Sequence, residues 1–353
     1  MKKEKQKFLE IKDIPFIGTR KINEFYTSTD GLKPIAEDKL LFKSGHNNIN
    51  LYTGNNRILL KSGTKDEERL IISWVDGSAT FPEKTTGVFT ENTRILKILY
   101  VLMNSNLYLY HTYMIASAWG IFYYDIRKDE EYFDFPINTM LFENDTLLQL
   151  ADELINIHQK DFVDILKRNQ ILGEINKIIE EAYDLDTTET DLINHVLEVS
   201  RYEFQESKQQ KYLRRTTEAD LQQYANVYID YFGQLFDGRL GEYFQVTYYM
   251  MPYFVAMRFE VVENKPQELI KRGVATNEKE LFAILSNELT LTETTSAIFT
   301  QQVVTGFDKK TFYIIKPNQY KSWHRAIAHL DASSFDDAII ENEIAQGGVG
   351  NHE

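Results

Sequence analysis

The sequence predicts an α+β protein: an N-terminal domain of short strands closed by helices, a helical middle section, and a C-terminal mixed α/β domain. Three observations carry this. Glycine and proline punctuate residues 10–92 at close intervals, from Gly18 through Gly31, Pro34, Gly45, Gly54, Gly63, Gly77 and Pro82 to Gly87, the signature of short strands and turns. Apolar residues at helical spacing then take over at Ile95, Leu96, Leu99 and Leu102. A second β-rich stretch, Phe244–Glu260, follows a helical pattern through Leu221, Tyr224, Tyr228 and Leu235.

Leu70–Val75 reads as a buried strand with Asp76-Gly77 as its turn, and Arg57–Lys61 as a strand entered from the turn Leu51–Gly54. The helix through Leu102 takes Asn92 or Thr93 as its cap and stops at Asn104-Ser105-Asn106; Leu107–Ala116 continues as a second helical segment. Ile175, Ile178, Ile179 and Ala182 share one helix face. Thr188 and Asp191 have capping-box spacing, with Leu192, Val196 and Val199 on the helix that follows. Further helices are expected over Glu278–Leu285 and Phe335–Ile344, and a strand over Phe312–Lys316. The boundaries predicted are 1–142, 143–206 (a helical connector), 207–345, and a loose tail 346–353.

Composition excludes several classes. The 353 residues contain no Cys, which removes disulfides, thiol nucleophiles and Cys-ligated zinc. The charged N-terminus lacks an apolar signal core, and no apolar run approaches membrane-spanning length; a cytoplasmic protein is expected. Tyr and Phe number 21 and 22, a supply suited to half-buried strands and contact surfaces. The net charge of −14 opposes a simple nucleic-acid module. Yet Lys39–Lys65, Ser207–Thr217 and Thr311–Leu330 carry Lys and Arg without an acid. Such windows suit phosphate contact; ordinary charge fluctuation is the alternative for any one of them.

Three stretches taken in order supply a resemblance. Trp74–Phe89 (WVDGSATFPEKTTGVF), Leu102–Trp119 (LMNSNLYLYHTYMIASAW) and Ile171–Ile193 (ILGEINKIIEEAYDLDTTETDLI) resemble the target-recognition region of N6-adenine DNA methyltransferases of restriction-modification and phage-defence systems. Phe133-Asp134-Phe135-Pro136 is similar to that family's exit from the recognition domain. The resemblance covers residues 10–205. It implies sequence-specific recognition of double-stranded DNA, with a separate methyltransferase or restriction subunit as partner. The catalytic half has no counterpart. None of the seven prolines forms the Pro-Pro pair of the Asn/Asp-Pro-Pro-aromatic motif, and no Gly-rich turn after a strand would seat S-adenosylmethionine. No activity and no cofactor are therefore expected. Phe312–Ile340 resembles a C-terminal element of some defence-system proteins, with no activity attached to it.

The candidate DNA-binding residues form three groups. Lys43, Asn55, Asn56, Arg57 and Lys61 join amides that suit adenine edges to cations that suit guanine or phosphate. Ser78, Thr80 and Lys84 lie in a loop. Lys316, Tyr320, Lys321, Trp323 and Arg325 combine cations with rings that stack on bases. For each group the alternative is structural: turn geometry for the amides, and local packing for Trp323. Two rival functions stand beside DNA recognition. One is a phage-defence sensor or effector that binds a protein. The other is a metal-dependent nuclease built on Glu263 and Lys265 with Asp237 or Glu260 as second acid. His324 and His329 are five apart and share no helix face as ligands; His111, His158 and His195 stand alone on helical stretches and read as structural or exposed.

Overall fold

The computed structural model describes residues 11–36, 49–61, 69–82, 84–116, 133–204, 210–238, 241–275, 281, 304–308 and 311–345. Lys43, Ser117–Gly120, most of the helix expected at Glu278–Leu285 and the tail 346–353 lie outside the described residues. The chain is α+β and divides into two compact units, Met1–Leu197 and Glu198–Glu353.

In the first unit, strands β1 (Phe25–Tyr26), β2 (Asn56–Lys61), β3 (Ile72–Asp76) and β4 (Thr85–Val88) form a sheet in the order β1-β3-β2-β4. β2 pairs antiparallel with both β3 and β4, while β1 runs parallel to β3. Ile58, Leu60, Ile72 and Trp74 face the helices; Leu59 and Val75 face a smaller cluster with Ile17, Ile22 and Ala79. The period-2 alternation of β2 is therefore hidden, because both faces are buried.

Helices α1 (Thr93–Met103), α2 (Asn106–Ile115), α3 (Asp145–His158), α4 (Ile165–Ala182) and α5 (Thr187–His195) complete this unit. Each begins on a side chain that accepts an otherwise orphaned backbone N–H: Asn92, Ser105, Asn144, Asp164 and Asp186. Ser105 also donates to Leu102 O at 2.7 Å, so one hydroxyl ends α1 and starts α2. The helices expected to form a connector instead supply core. Leu147 and Leu154 of α3, Ile171, Ile175 and Ile179 of α4, and Ile193 of α5 share the cluster of Ile58 and Trp74. The capping box lies two residues before the expected pair, at Asp186 and Glu189, with reciprocal bonds of 2.8 and 2.9 Å. The shift turns Ile193 inward and leaves Leu192 exposed. Asp186→Ala is expected to cost about 1 kcal/mol, read as roughly fivefold faster amide exchange at Glu189.

The second unit holds a five-stranded sheet in the order β7-β5-β6-β9-β8. Its strands are β5 (Tyr243–Met250), β6 (Phe254–Val262), β7 (Ile270–Arg272), β8 (Val304–Asp308) and β9 (Thr311–Pro317). Helices α6 (Glu218–Phe232) and α7 (Arg325–Ala345) cover one face. Alternate residues decide the faces: Phe244, Val246, Tyr248, Met257, Phe259, Phe312 and Ile314 meet the helices, while Tyr249, Ala256, Tyr313 and Ile315 face the other way with Leu281. The aromatic surplus is spent here as core. Phe259 stacks on Phe312 at 4.6 Å, Phe312 meets Phe335 at 4.4 Å, and Tyr228 meets Phe259 at 4.1 Å. α7 begins ten residues before the expected Phe335, because the His324 imidazole accepts from Ala326 N at 3.1 Å and caps it. Among the described residues no helix is long and apolar enough to cross a membrane.

Candidate nucleic-acid interface

Arg57 of the first candidate group, with Ser78 and Thr80 of the second, is turned inward. Arg57 is 0% exposed, because it sits on β2 between Ile58 and a sheet face that is itself covered. Its Nη1 donates to Leu51 O at 2.7 Å, Tyr52 O at 2.9 Å and Ala79 O at 3.0 Å; its Nη2 donates to Gly77 O at 2.7 Å and to Gly54 O. Five carbonyls from two loops thus converge on one guanidinium. Burial lowers its pKa to about 10, which leaves the charge in place at neutral pH. Ser78 donates to Thr53 O at 2.9 Å, tying the same segments, and Thr80 donates to Pro15 O at 3.2 Å. Gly54 lies against this knot, where an added Cβ would meet the Phe89 ring at 2.1 Å and Asn50 O at 2.8 Å. The expectation that Arg57, Ser78 and Thr80 face a DNA groove is corrected: their polar atoms are used on the protein's own backbone. Asn56, with its amide nitrogen turned inward, donates to Asn55 O at 2.8 Å and Asp76 Oδ1 at 3.2 Å. Asn55 and Lys84 are exposed, and Lys61 is half-buried.

The cluster around residues 316–325 is neutralised from within. Lys316, 3% exposed, ion-pairs with Asp331 of α7, which also accepts from Tyr224 Oη. Burial pushes the Lys316 ammonium below its ordinary value, and Asp331 opposes that shift. Lys321 pairs with Glu203 at 2.6 Å. Tyr320 donates to Glu198 and lies under the Arg214 guanidinium at 3.9 Å, while Arg214 forks onto Asp220 at 2.7 and 2.9 Å. Burial, with Glu198 beside it, raises the Tyr320 hydroxyl. Trp323 is fully buried, with Nε1 donating to Pro317 O at 3.0 Å and its ring on Tyr224. Phosphate would have to displace a carboxylate from Lys316 and Lys321, and Trp323 offers no face to a base. The expected contacts of Lys316 and Trp323 are corrected accordingly, while Lys321 keeps 34% of its side chain exposed. Arg325 is half-buried at the start of α7.

A different cluster in the first unit joins residues that no local pattern connects. Phe25 is a bulky residue in the left-handed region, with φ of 64°, a conformation costing about 1–3 kcal/mol. Its carbonyl accepts from Tyr100 Oη at 3.0 Å. Around its ring gather the His158 imidazole at 4.6 Å, the Arg69 guanidinium at 4.9 Å and that of Arg168 at 5.9 Å. Arg69 is also anchored, donating to Asn104 O at 2.5 Å. Arg168 donates to Asn169 Oδ1 at 3.2 and 3.3 Å and meets no carboxylate among the described residues. Burial, then Arg168 and Arg69, lower the His158 pKa to about 4, so the ring is neutral at pH 7. Its Nε2 is buried without a hydrogen-bond partner among the described residues. Sequence reasoning missed this group because its members come from β1, the segment before β3, the end of α3 and the first turn of α4.

Glu263 and Lys265 are exposed beyond β6, whereas Glu260 is engaged by Arg258 at 2.6 Å and Lys271 at 3.9 Å. Among the described residues no three His, Asp or Glu side chains gather to hold a metal ion. Compared with known proteins, the chain matches no family model and no curated sequence.

Proposed function

We propose that this protein is the DNA-recognition subunit of a restriction-modification or phage-defence complex, acting in the cytoplasm, with chemistry supplied by a separate methyltransferase or nuclease subunit. The ordered motifs of residues 74–193 give the reading its direction. The observation that carries it is Arg168 beside a strained Phe25, without a carboxylate partner among the described residues, inside a chain of net charge −14. A half-buried guanidinium that meets no carboxylate among the described residues gains from an anionic ligand. Binding to duplex DNA should weaken steeply with salt, and Arg168→Ala should lower the slope of log K against log salt by about 1. Absence of duplex binding at low salt, both for the chain alone and with its co-purifying partner, overturns the reading.

A second reading, a sensor or effector that binds a protein, draws on two observations. Arg57 and Thr80 turn inward, and the turn into α4 exposes apolar side chains, with Phe162 at 91%, beside Ile165 and Leu166. The two readings separate on Phe162→Ser/Leu166→Ser. Loss of a co-purifying protein with duplex binding intact assigns this turn to the partner subunit; if the chain binds no DNA and still loses the protein, the second reading holds.

A further inference from the structure

We infer that the pair of turns clamped by Arg57 is a preformed base-reading tip, and that Asn55 on it is a specificity-determining residue whose carboxamide takes an adenine edge in the major groove. The inference rests on the DNA-recognition reading and deepens it, by naming the side chain that reads sequence and the base it suits.

Two turns of the first unit, one ahead of β2 and one after β3, are fastened to each other through their backbones. Arg57 donates to the carbonyls of Leu51, Tyr52 and Gly54 on the first turn and of Gly77 and Ala79 on the second. The Ala79 N–H donates to Tyr52 O at 3.0 Å, the Gly77 N–H to Asn55 O at 2.5 Å, and Ser78 Oγ to Thr53 O at 2.9 Å. Gly77 takes a left-handed φ of 80° to close the second turn. The guanidinium at the centre is buried and charged, and it meets only carbonyls among the described residues. A charge is costly to desolvate, and apolar packing of the same volume often stabilises a fold as well or better. What the guanidinium adds is a fixed geometry for two surface turns, the condition for meeting a ligand with little loss of entropy on contact.

Asn55 sits on the outside of this clamp. It is exposed, and its carboxamide has no hydrogen-bond partner among the described residues, while its backbone carbonyl is held by both the Gly77 N–H and the Asn56 amide, the latter at 2.8 Å. The neighbouring polar side chains are used within the protein: Thr53, Arg57 and Ser78 bond backbone carbonyls, and Asn56 bonds Asp76 Oδ1. A carboxamide offers an acceptor for adenine N6–H and a donor for N7 side by side. Asp76 beside it accepts from Trp74 Nε1 at 2.7 Å and from Gln159 Nε2 at 2.9 Å. A carboxylate repels phosphate, so the tip suits a base edge, with the backbone contact made elsewhere. The same contacts lead to the cation for that role. Gln159 follows His158, whose ring meets Phe25 at 4.6 Å, and Phe25 lies 5.9 Å from the Arg168 guanidinium. One continuous contact path in the first unit thus joins an amide for the base to a cation for the phosphate.

The test starts from duplexes selected out of a random pool by the full chain with its co-purifying partner, and repeats the selection with Asn55→Ala and Asn55→Asp. Unchanged amide exchange across β2 and β3 shows that each variant is folded. Both variants should lose preference for adenine at one position, by about tenfold or more; Asn55→Asp keeps the acceptor and loses the donor to N7. The slope of log K against log salt for Asn55→Ala should match the wild type, since no phosphate contact is removed. Replacing that adenine by 7-deazaadenine should weaken the wild-type chain and leave Asn55→Ala unaffected. An unchanged preference in Asn55→Ala, with duplex binding intact, overturns the inference and leaves the DNA-recognition reading standing. An equal loss on every duplex with a shallower salt slope also overturns it, by making Asn55 a backbone contact. Loss of the co-purifying protein with duplex preference unchanged overturns it in favour of a protein-contacting tip. If the wild-type chain selects no duplex, the recognition reading falls and the inference with it.

Discussion

Arg57→Met should destabilise the first unit by about 3 kcal/mol, because it strips the donors from five carbonyls, one buried and the others partly buried, while filling the same space. The acceptors are the carbonyls of Leu51, Tyr52, Gly54, Gly77 and Ala79, and only Tyr52 O has a second donor shown, the Ala79 N–H at 3.0 Å. The Ala79 carbonyl would lose its hydrogen bond away from water, at about 1–3 kcal/mol, and those of Leu51, Gly54 and Gly77, on residues that keep some exposure, would each lose less. The removal of a desolvated charge offsets part of that sum. Arg57→Lys should recover little, since one ammonium has three donors and no planar fork. Native-state amide exchange across β2 and β3 is the suitable measurement, because a chain of two units need not unfold in one step. Protection should fall by two orders of magnitude or more. A change below fivefold would show that the loops hold together without the guanidinium.

Asp331→Ala is the second large effect, at about 3–5 kcal/mol in the second unit. It leaves Lys316 buried with an ammonium and no counter-charge, and removes the acceptor of Tyr224 Oη as well. The pH dependence has a definite sign. Burial already holds the Lys316 pKa below that of the unfolded chain, and Asp331 is what opposes the shift. Without Asp331 the folded pKa drops further. Between that value and the unfolded lysine value the unfolded state binds more protons, so the variant's stability rises with pH. Its deficit should therefore shrink as pH approaches the lysine range and be largest in mildly acidic solution. Replacing both partners by apolar residues, Lys316→Met with Asp331→Leu, should cost less than Asp331→Ala alone. Equal losses in the single and double variants would show that the pair is not coupled.

The difference between these residues and Arg168 lies in their partners. Lys316 and Lys321 each meet a carboxylate, and Arg57 meets a ring of carbonyls. All three sit in sequence windows rich in cations and free of acids. An acid-free window says nothing about Glu203 or Asp331, which close on it from elsewhere in the chain. Arg168, in contrast, lies in an acid-flanked stretch and meets no carboxylate among the described residues; only the fold brings it to the Phe25 ring.

What was legible in the sequence was local. The α+β class, the strand at β3, the Asn92 cap, the double stop and start at Asn104–Asn106 and the buried face of Ile175 and Ile179 all follow from side-chain period, capping chemistry and turn residues. These are interactions within one or two turns of chain, so the order of residues is enough to specify them. The cap of α5 was misplaced by two residues because Asp186-Thr187-Thr188 offers several competing acceptors, and the burial of Ile193 selects among them. The start of α7 was missed because histidine is an uncommon cap. The fate of the charged side chains was decided by tertiary structure alone. A guanidinium is a surface group or a buried pin according to what the fold brings to within about 3 Å of it, and electrostatic energy depends on distance and dielectric with no regard for separation along the chain. Residue order therefore specified the helices and strands, and three-dimensional closure chose which cations are held by carbonyls and carboxylates from distant segments.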